Sequence, residues 1–406
     1  MTTRARATVT VSWPEANTRR LARQHLTAPA PSAPASAPSA PASASTAEAV
    51  GAMLGAHAQV LSAAELSVGL RGDGLTRTDV RAALWAEGTG ESGRTTLVKT
   101  FGPRGTVHLL PVADLPLWTG ALSAVPTGPN LFSKDARMTP DQVEAVVTAV
   151  GDALQGVELT VDELSDEVVA RTGPWAGDPV MPAFQTMWPR WRQVLHLAGH
   201  RGALAYAPNR GRKATYTNPG CTPMPGPAAL AALVERYLYA YGPATPAHFA
   251  RWLAAPKRWA AEQFAASAAS GAIEEVEFAD EGSAWVVAGD TDFPNEPARG
   301  VRLLPYFDAF TIASHPRGRL FPGTAYERAL GGGQAGNYPV LLVDGTVAGV
   351  WHQRRSGRRI AVTVEPLKPL TAPRLRDLEE QVERVAAIME GTAELTVGTV
   401  TVGPHA

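Results

Sequence analysis

His57 and Gln59, separated only by Ala58, are the residues of this chain best placed to do chemistry. Ser45 and Glu48 have capping-box spacing and open a helical run, Ala47 to Ala56; Ser62 and Glu65 open the next, Ala63 to Leu70. The pair therefore falls at a junction between helices rather than on a helix face. From there an imidazole and a carboxamide can point together into a groove, where they can hold and polarise a water molecule. The same two side chains could simply cap the helix ends. Asp308 is the other isolated acid of interest, set among aromatics in Pro305-Tyr306-Phe307-Asp308-Ala309-Phe310. For it a buried structural carboxylate is favoured over a catalytic one.

Three further features mimic functional sites. His196 and His200 have helical spacing but no nearby carboxylate or cysteine, so packing or DNA contact is expected rather than metal. Gly331, Gly333 and Gly336 match the spacing of a dinucleotide fingerprint. No strand precedes them, no helix follows and Pro339 comes just after, so they read as a flexible loop. The acidic pairs Asp162-Glu163, Asp166-Glu167 and Glu379-Glu380 read as solvated helix faces. No metal and no cofactor is expected.

At 406 residues the chain has room for several domains. It has no apolar stretch of about 18 residues, so no membrane span is expected. Arg4 and Arg6 are not followed by the apolar run of a secretory signal. Cys221 is the single cysteine, which excludes an internal disulfide and a cysteine-based zinc site. A cytoplasmic protein fits these features. The net charge of −1 rules out a uniformly basic surface, but the charge is uneven. No acid falls between Asp178 and Glu235, where Arg190, Arg192, Arg201, Arg210, Arg212 and Lys213 lie. Arg4, Arg6, Arg19, Arg20 and Arg23 form a second cluster, and Arg354, Arg355, Arg358 and Arg359 a third. Such stripes suggest one positively charged face for phosphates.

The elements that must position the pair recur three times. Unit 1 (1–126) has a helix from Ser12 to about Leu26, an Ala/Pro/Ser linker at 28–45 and the helices around His57. It ends in a hairpin, Thr96 to Phe101 with Thr106 to Leu110, turned by Gly102-Pro103-Arg104-Gly105. His108 alternates with core residues there and points out of the hairpin. Unit 2 (139–219) has helices opened by Thr139 and Thr160, a third from about Pro182 to Ala198, and a hairpin tipped by Asn209-Arg210-Gly211-Arg212-Lys213. Unit 3 (226–290) repeats the pattern and ends in the hairpin Ile273 to Phe278 with Ala284 to Val287. The fold class is α+β: three tandem winged-helix units followed by a β-rich C-terminal domain at 300–406. A row of winged helices can cradle a duplex or serve as a protein scaffold.

These residues resemble the AlkZ/YcaQ-type winged-helix DNA glycosylases over nearly the whole chain. The markers are His57-Ala58-Gln59-Val60, Arg104 to Leu110, Pro208 to Arg212, Tyr241 to Pro246, Leu303 to Asp308, and Val343-Asp344-Gly345 with Gly349-Val350-Trp351. In that family the catalytic pair is Gln-apolar-Gln, with aspartate second in one branch; here histidine stands first. The resemblance implies His57 and Gln59 as the catalytic pair, and places this chain with histidine-containing variants of the antibiotic self-resistance branch. It implies removal of bulky alkyl adducts, or unhooking of interstrand crosslinks, at guanine N7. Such a cationic base leaves readily, so the enzyme must mainly place a water at the anomeric carbon. No lysine flanks the pair, so no lyase step is expected. Thr106 and Asp308 are candidate lining residues. Arg104, Arg210, Arg212, Lys213 and His108, then Arg354, Arg355, Arg358 and Arg359, are candidate contacts to double-stranded DNA, bound by a monomer. A winged-helix transcriptional regulator is the main competing reading, but Thr78 to Trp85 offers only Arg81 to read bases. A non-catalytic protein that shields adducts is the third.

Overall fold

The computed structural model describes residues 9–27, 44–85, 95–128, 132–183, 186–279 and 281–403. Most of the Ala/Pro/Ser linker, together with Arg4 and Arg6, lies outside these residues. Capping boxes start the helices Trp13–Arg23, Thr46–Ala52, Arg77–Leu84, Pro140–Ala153, Val161–Thr172 and Pro246–Leu253. In each, the cap hydroxyl takes up a backbone N–H of the first turn that has no partner within the helix. The expected Ser62–Glu65 box does not form. That helix runs Leu61–Gly69 behind an uncapped Val60, and Glu65 is buried against Arg81 at 2.5 Å and Arg77 at 3.6 Å. A carboxylate between two guanidinium groups is stabilised far better than one on a helix end.

Three helix groups are each followed by a hairpin, but the hairpins are not separate modules. The first (Leu97–Phe101, Val107–Pro111) meets the second (Ala205–Arg210, Lys213–Thr217) through the Lys99–Tyr206 pairing. With Ala56–His57 on one edge and Glu158–Thr160 on the other, they make one six-stranded sheet. The third hairpin, Ile273–Phe278 with Gly282–Val287, gains Thr10–Val11 as a parallel edge strand. The N-terminal segment thus packs on the third group rather than the first, and Arg20 donates to the carbonyls of Gly242, Pro243 and His315. The helix expected from Pro182 to Ala198 is also revised. A hairpin, Pro179–Pro182 with Met187–Pro189, occupies its first half, then a 3-10 turn at Arg190–Val194 and a short helix, Leu195–His200. Pro182 and Pro189 cannot donate to a helix ladder and hold their preceding residues extended.

The C-terminal sheet runs Val301–Leu304, Val340–Val343, Thr346–Ser356, Arg359–Pro366 and Thr392–Val397. Its last two strands are parallel, so the chain must cross over, and the helix Ala372–Ile388 does so. Among the described residues no helix is long and apolar enough to cross a membrane.

One buried contact ties this domain to the helix after His57. Arg71 reaches Asp308 with two hydrogen bonds of 2.9 Å, Ser67 adds a third at 2.6 Å, and both charged side chains have zero exposure. Removing one partner strands the other charge in a dry interior. Asp308→Ala is expected to lower unfolding free energy in urea by about 3–5 kcal/mol. Arg71→Met/Asp308→Leu should cost clearly less than the two single losses added. Simple additivity would show that the pair is not coupled.

Candidate active site

His57 sits on the two-residue edge strand Ala56–His57, directly opposite His108. The approach to it is tight. Gly55 has φ +93°, and a Cβ there would lie 2.9 Å from Leu110 Cδ2, so only glycine fits. Just before it, the Tyr241 hydroxyl donates to the Met53 carbonyl at 2.6 Å. The His57 ring lies edge-on to His108, centroids 5.3 Å apart, and tilted against Phe307 at 4.4 Å. Its Nδ1 is buried without a hydrogen-bond partner in the protein. Burial, then the Arg104 guanidinium, pushes its pKa down to about 4. His57 is therefore a neutral imidazole at neutral pH, with a ring nitrogen able to accept a proton.

The space beside it is small. His57, Arg104, His108, Trp252, Phe307 and Ile312 border a cavity with about 10 Å³ open to the centre of a water molecule. That is room for about one water and far too little for a purine base.

Phe307, which closes this cavity, is held in an uncommon conformation with φ 55°. Its N–H donates to the Gly336 carbonyl at 2.9 Å, and the next residue is the ion-paired Asp308. The glycine run thus has a structural use. Gly336 has φ +96°, and a Cβ there would come within 3.2 Å of Phe307. Asp308 also caps Phe310 and points to Arg71, so it supports the site from behind rather than lining it.

The remaining expected residues scatter. Gln59 is exposed and lies outside the cavity lining, one residue past Ala58, whose N–H pairs with the Val107 carbonyl at 2.7 Å. The Thr106 hydroxyl donates to Pro103 O at 3.0 Å and is not a lining residue. His108 does not point out of its hairpin. It is buried, its Nδ1–H faces the Thr106 carbonyl at 2.9 Å, and its ring lies against that of His57. Arg104, expected at a hairpin tip, turns inward and donates to Trp252 O at 2.7 Å.

Nor do the basic stripes of the sequence form one bare basic face. Arg201 pairs with Glu144 at 2.5 Å, Arg190 with Asp178 and Arg210 with Glu163 at 3.1 Å, and Lys213 with Asp162 at 2.6 Å. In the N-terminal stripe Arg19 and Arg20 are buried and Arg23 pairs with Asp290. On the C-terminal hairpin Arg359 pairs with Glu394 and Arg355 donates to the Met389 carbonyl. Arg212, Arg354 and Arg358 are exposed with no ion pair among the described residues. His196 and His200 pack edge to face, and no group of three potential metal ligands occurs among the described residues. Phe307 and Trp252 were missed from the sequence. Phe307 lay in a visible aromatic motif, whereas nothing marked Trp252.

The family model described as "DNA glycosylase AlkZ-like" matches residues 50–388, spanning both His57 and Asp308. The chain belongs to the AlkZ-like DNA glycosylase family. It is 31% identical over 327 residues to a Streptomyces sahachiroi protein named interstrand DNA cross-link repair glycosylase, covering 74% of this chain and 80% of that one. It also superposes on the structure of Streptomyces sahachiroi DNA glycosylase AlkZ with a TM-score of 0.74 at 26% identity. That match covers 96% of this chain and all of the other. Membership in the AlkZ-like family makes the protein a DNA glycosylase, and sets aside the regulator and shielding readings.

The buried histidines of this glycosylase have a consequence for stability. His57, His200 and His248 are each lowered to about 4, mainly by burial. In the unfolded chain they titrate near about 6.5. Between those values the unfolded state binds more protons, so the stability is full above about pH 6.5 and falls toward pH 4. Urea midpoints are expected to drop steadily on acidification across that window, and less so in His200→Gln. A flat profile would show that these rings are not held neutral.

Proposed function

We propose that this glycosylase hydrolyses the N-glycosidic bond of bulky N7-alkylguanine adducts, including interstrand crosslinks left by DNA-alkylating antibiotics. Alkylation at N7 makes the base cationic, so it departs with the C1′–N9 electron pair and becomes neutral. A water oxygen then bonds to C1′ of the oxocarbenium-like sugar, and His57 takes the water's proton before passing it to solvent. The observation that carries this reading is a neutral His57 with an unpartnered Nδ1 at a space the size of one water. That size also supports an adduct kept outside the protein in an open cleft rather than a base flipped into a pocket. Exposed Gln59 would meet the sugar or backbone of the damaged strand. The three helix-and-hairpin groups are read as winged helices that together cradle the duplex, bound by a monomer.

The relative named for interstrand cross-link repair supports crosslinks as substrates. Histidine in place of the first glutamine points to the self-resistance branch of such enzymes. Among the described residues no lysine lines the cavity, so the reaction stops at an abasic site. The test uses duplex DNA carrying one bulky N7-guanine antibiotic adduct. Wild type is expected to give strand breaks only after alkali. His57→Ala/Gln59→Ala should lower that yield by about two orders of magnitude or more. Intact DNA with the wild type across a panel of adducts would defeat the proposal. Breakage without alkali would defeat its monofunctional part.

A further inference from the structure

Many guanidinium groups of this protein are matched by a carboxylate, as Arg201 is by Glu144 and Arg328 by Glu365 at 2.8 Å. One cleft departs from that pattern. It has about 610 Å³ open to the centres of water molecules, and is bordered by His248, Arg251, Lys257, Glu281, His315 and Arg317. Arg251 and Lys257 are exposed with no carboxylate partner among the described residues. Arg317 is half-buried, and its guanidinium donates only to backbone carbonyls, of Thr311 and of Ile312 at 2.6 Å. The one acid, Glu281, stands 3.7 Å from His248 Nε2. His248 and His315 stack with centroids 4.5 Å apart and planes within 9°. Burial comes first, then the surrounding arginines, in holding both rings neutral, so the histidines do not add to the charge.

Three cations converge on this cleft against one carboxylate. Like charges gathered without counterions raise the energy of the free protein, and an anion seated among them relieves it. Lys257 also begins the thirteen-residue helix Lys257–Ala269, which has no side-chain cap. Its free first-turn N–H groups face the same demand.

The cleft adjoins the catalytic cavity. Ile312, whose carbonyl anchors Arg317, lines the His57 cavity. Ala254 borders both this cleft and a neighbouring one lined by Arg104 and His200, and Arg104 reaches His57. We infer that the Arg251–Lys257–Arg317 cleft is a phosphate seat for the DNA backbone flanking the lesion. It takes a phosphodiester of duplex DNA and holds the strand so that the damaged sugar faces His57. The seat rests on the reading that the damaged sugar is presented to His57, but its test does not depend on catalysis.

The test is binding of undamaged duplex DNA by the full chain across a salt series. Each phosphate neutralised contributes a slope of about 0.9 to the fall of log affinity with log salt. Arg251→Ala/Lys257→Ala is expected to reduce that slope by about 1 to 2, and to weaken binding about tenfold or more at low salt. Both side chains are exposed, so its melting temperature should match wild type. Arg251→Lys/Lys257→Arg should restore the slope. Wild-type slope and affinity in the alanine variant would overturn the phosphate seat, as would failure of the charge-preserving variant to restore them. A changed slope alongside no adduct release by wild type would leave the seat standing and remove the proposed substrate.

Discussion

The Arg71–Asp308 ion pair is the contact on which the candidate site depends. Neither charge touches water, and their mutual hydrogen bonds with Ser67 are what offset desolvation. Arg71 follows the helix Leu61–Gly69 that leads away from His57, and Asp308 follows Phe307. Closing the pair therefore brings an aromatic ring from the C-terminal domain onto an imidazole of the first sheet. The local cost is a positive φ at Phe307, accommodated by the close approach of Gly336. A hydrophobic pair of equal size could join the domains as well, but an ion pair tolerates only one register.

From that contact the chemistry follows by burial. Covered by Phe307 and flanked by buried His108, His57 cannot easily carry charge, and Arg104 adds a further penalty. Such a ring is poorly suited to act as a general acid at neutral pH and well suited to accept a proton. That matches the demand of the proposed reaction, whose leaving group is already cationic. In that reaction the enzyme would supply water and geometry, and the lesion the activation.

Local signals were legible in the sequence. Capping-box spacing located the helices that follow Ser12, Ser45, Thr139 and Thr160, and alternating runs located the hairpin that closes each of the three helix groups. What stayed hidden depended on distance in space. A gap in acidic residues between Asp178 and Glu235 suggested a bare basic face, yet Glu144, Asp162, Glu163 and Asp178 lie across from those cations in the fold. Period-two alternation could not reveal that His108 lies opposite the edge strand Ala56–His57 of the same sheet, with its ring against that of His57. The Ser62–Glu65 spacing gave a false box because Arg77 and Arg81 offered Glu65 a stronger partner than a helix end. His57 and Gln59 stood out by residue type, but the edge strand and the burial of one beside the exposure of the other were not foreseeable from spacing.

The central claim is that His57 is kept neutral under Phe307 so that it can accept a proton from water. An NMR titration of imidazole signals, with His57 assigned by comparison with His57→Ala, tests it most directly. The account predicts a ring that stays neutral down to about pH 5 and protonates near about 4. A His57 that titrates near about 6.5, as a solvated histidine does, would contradict it.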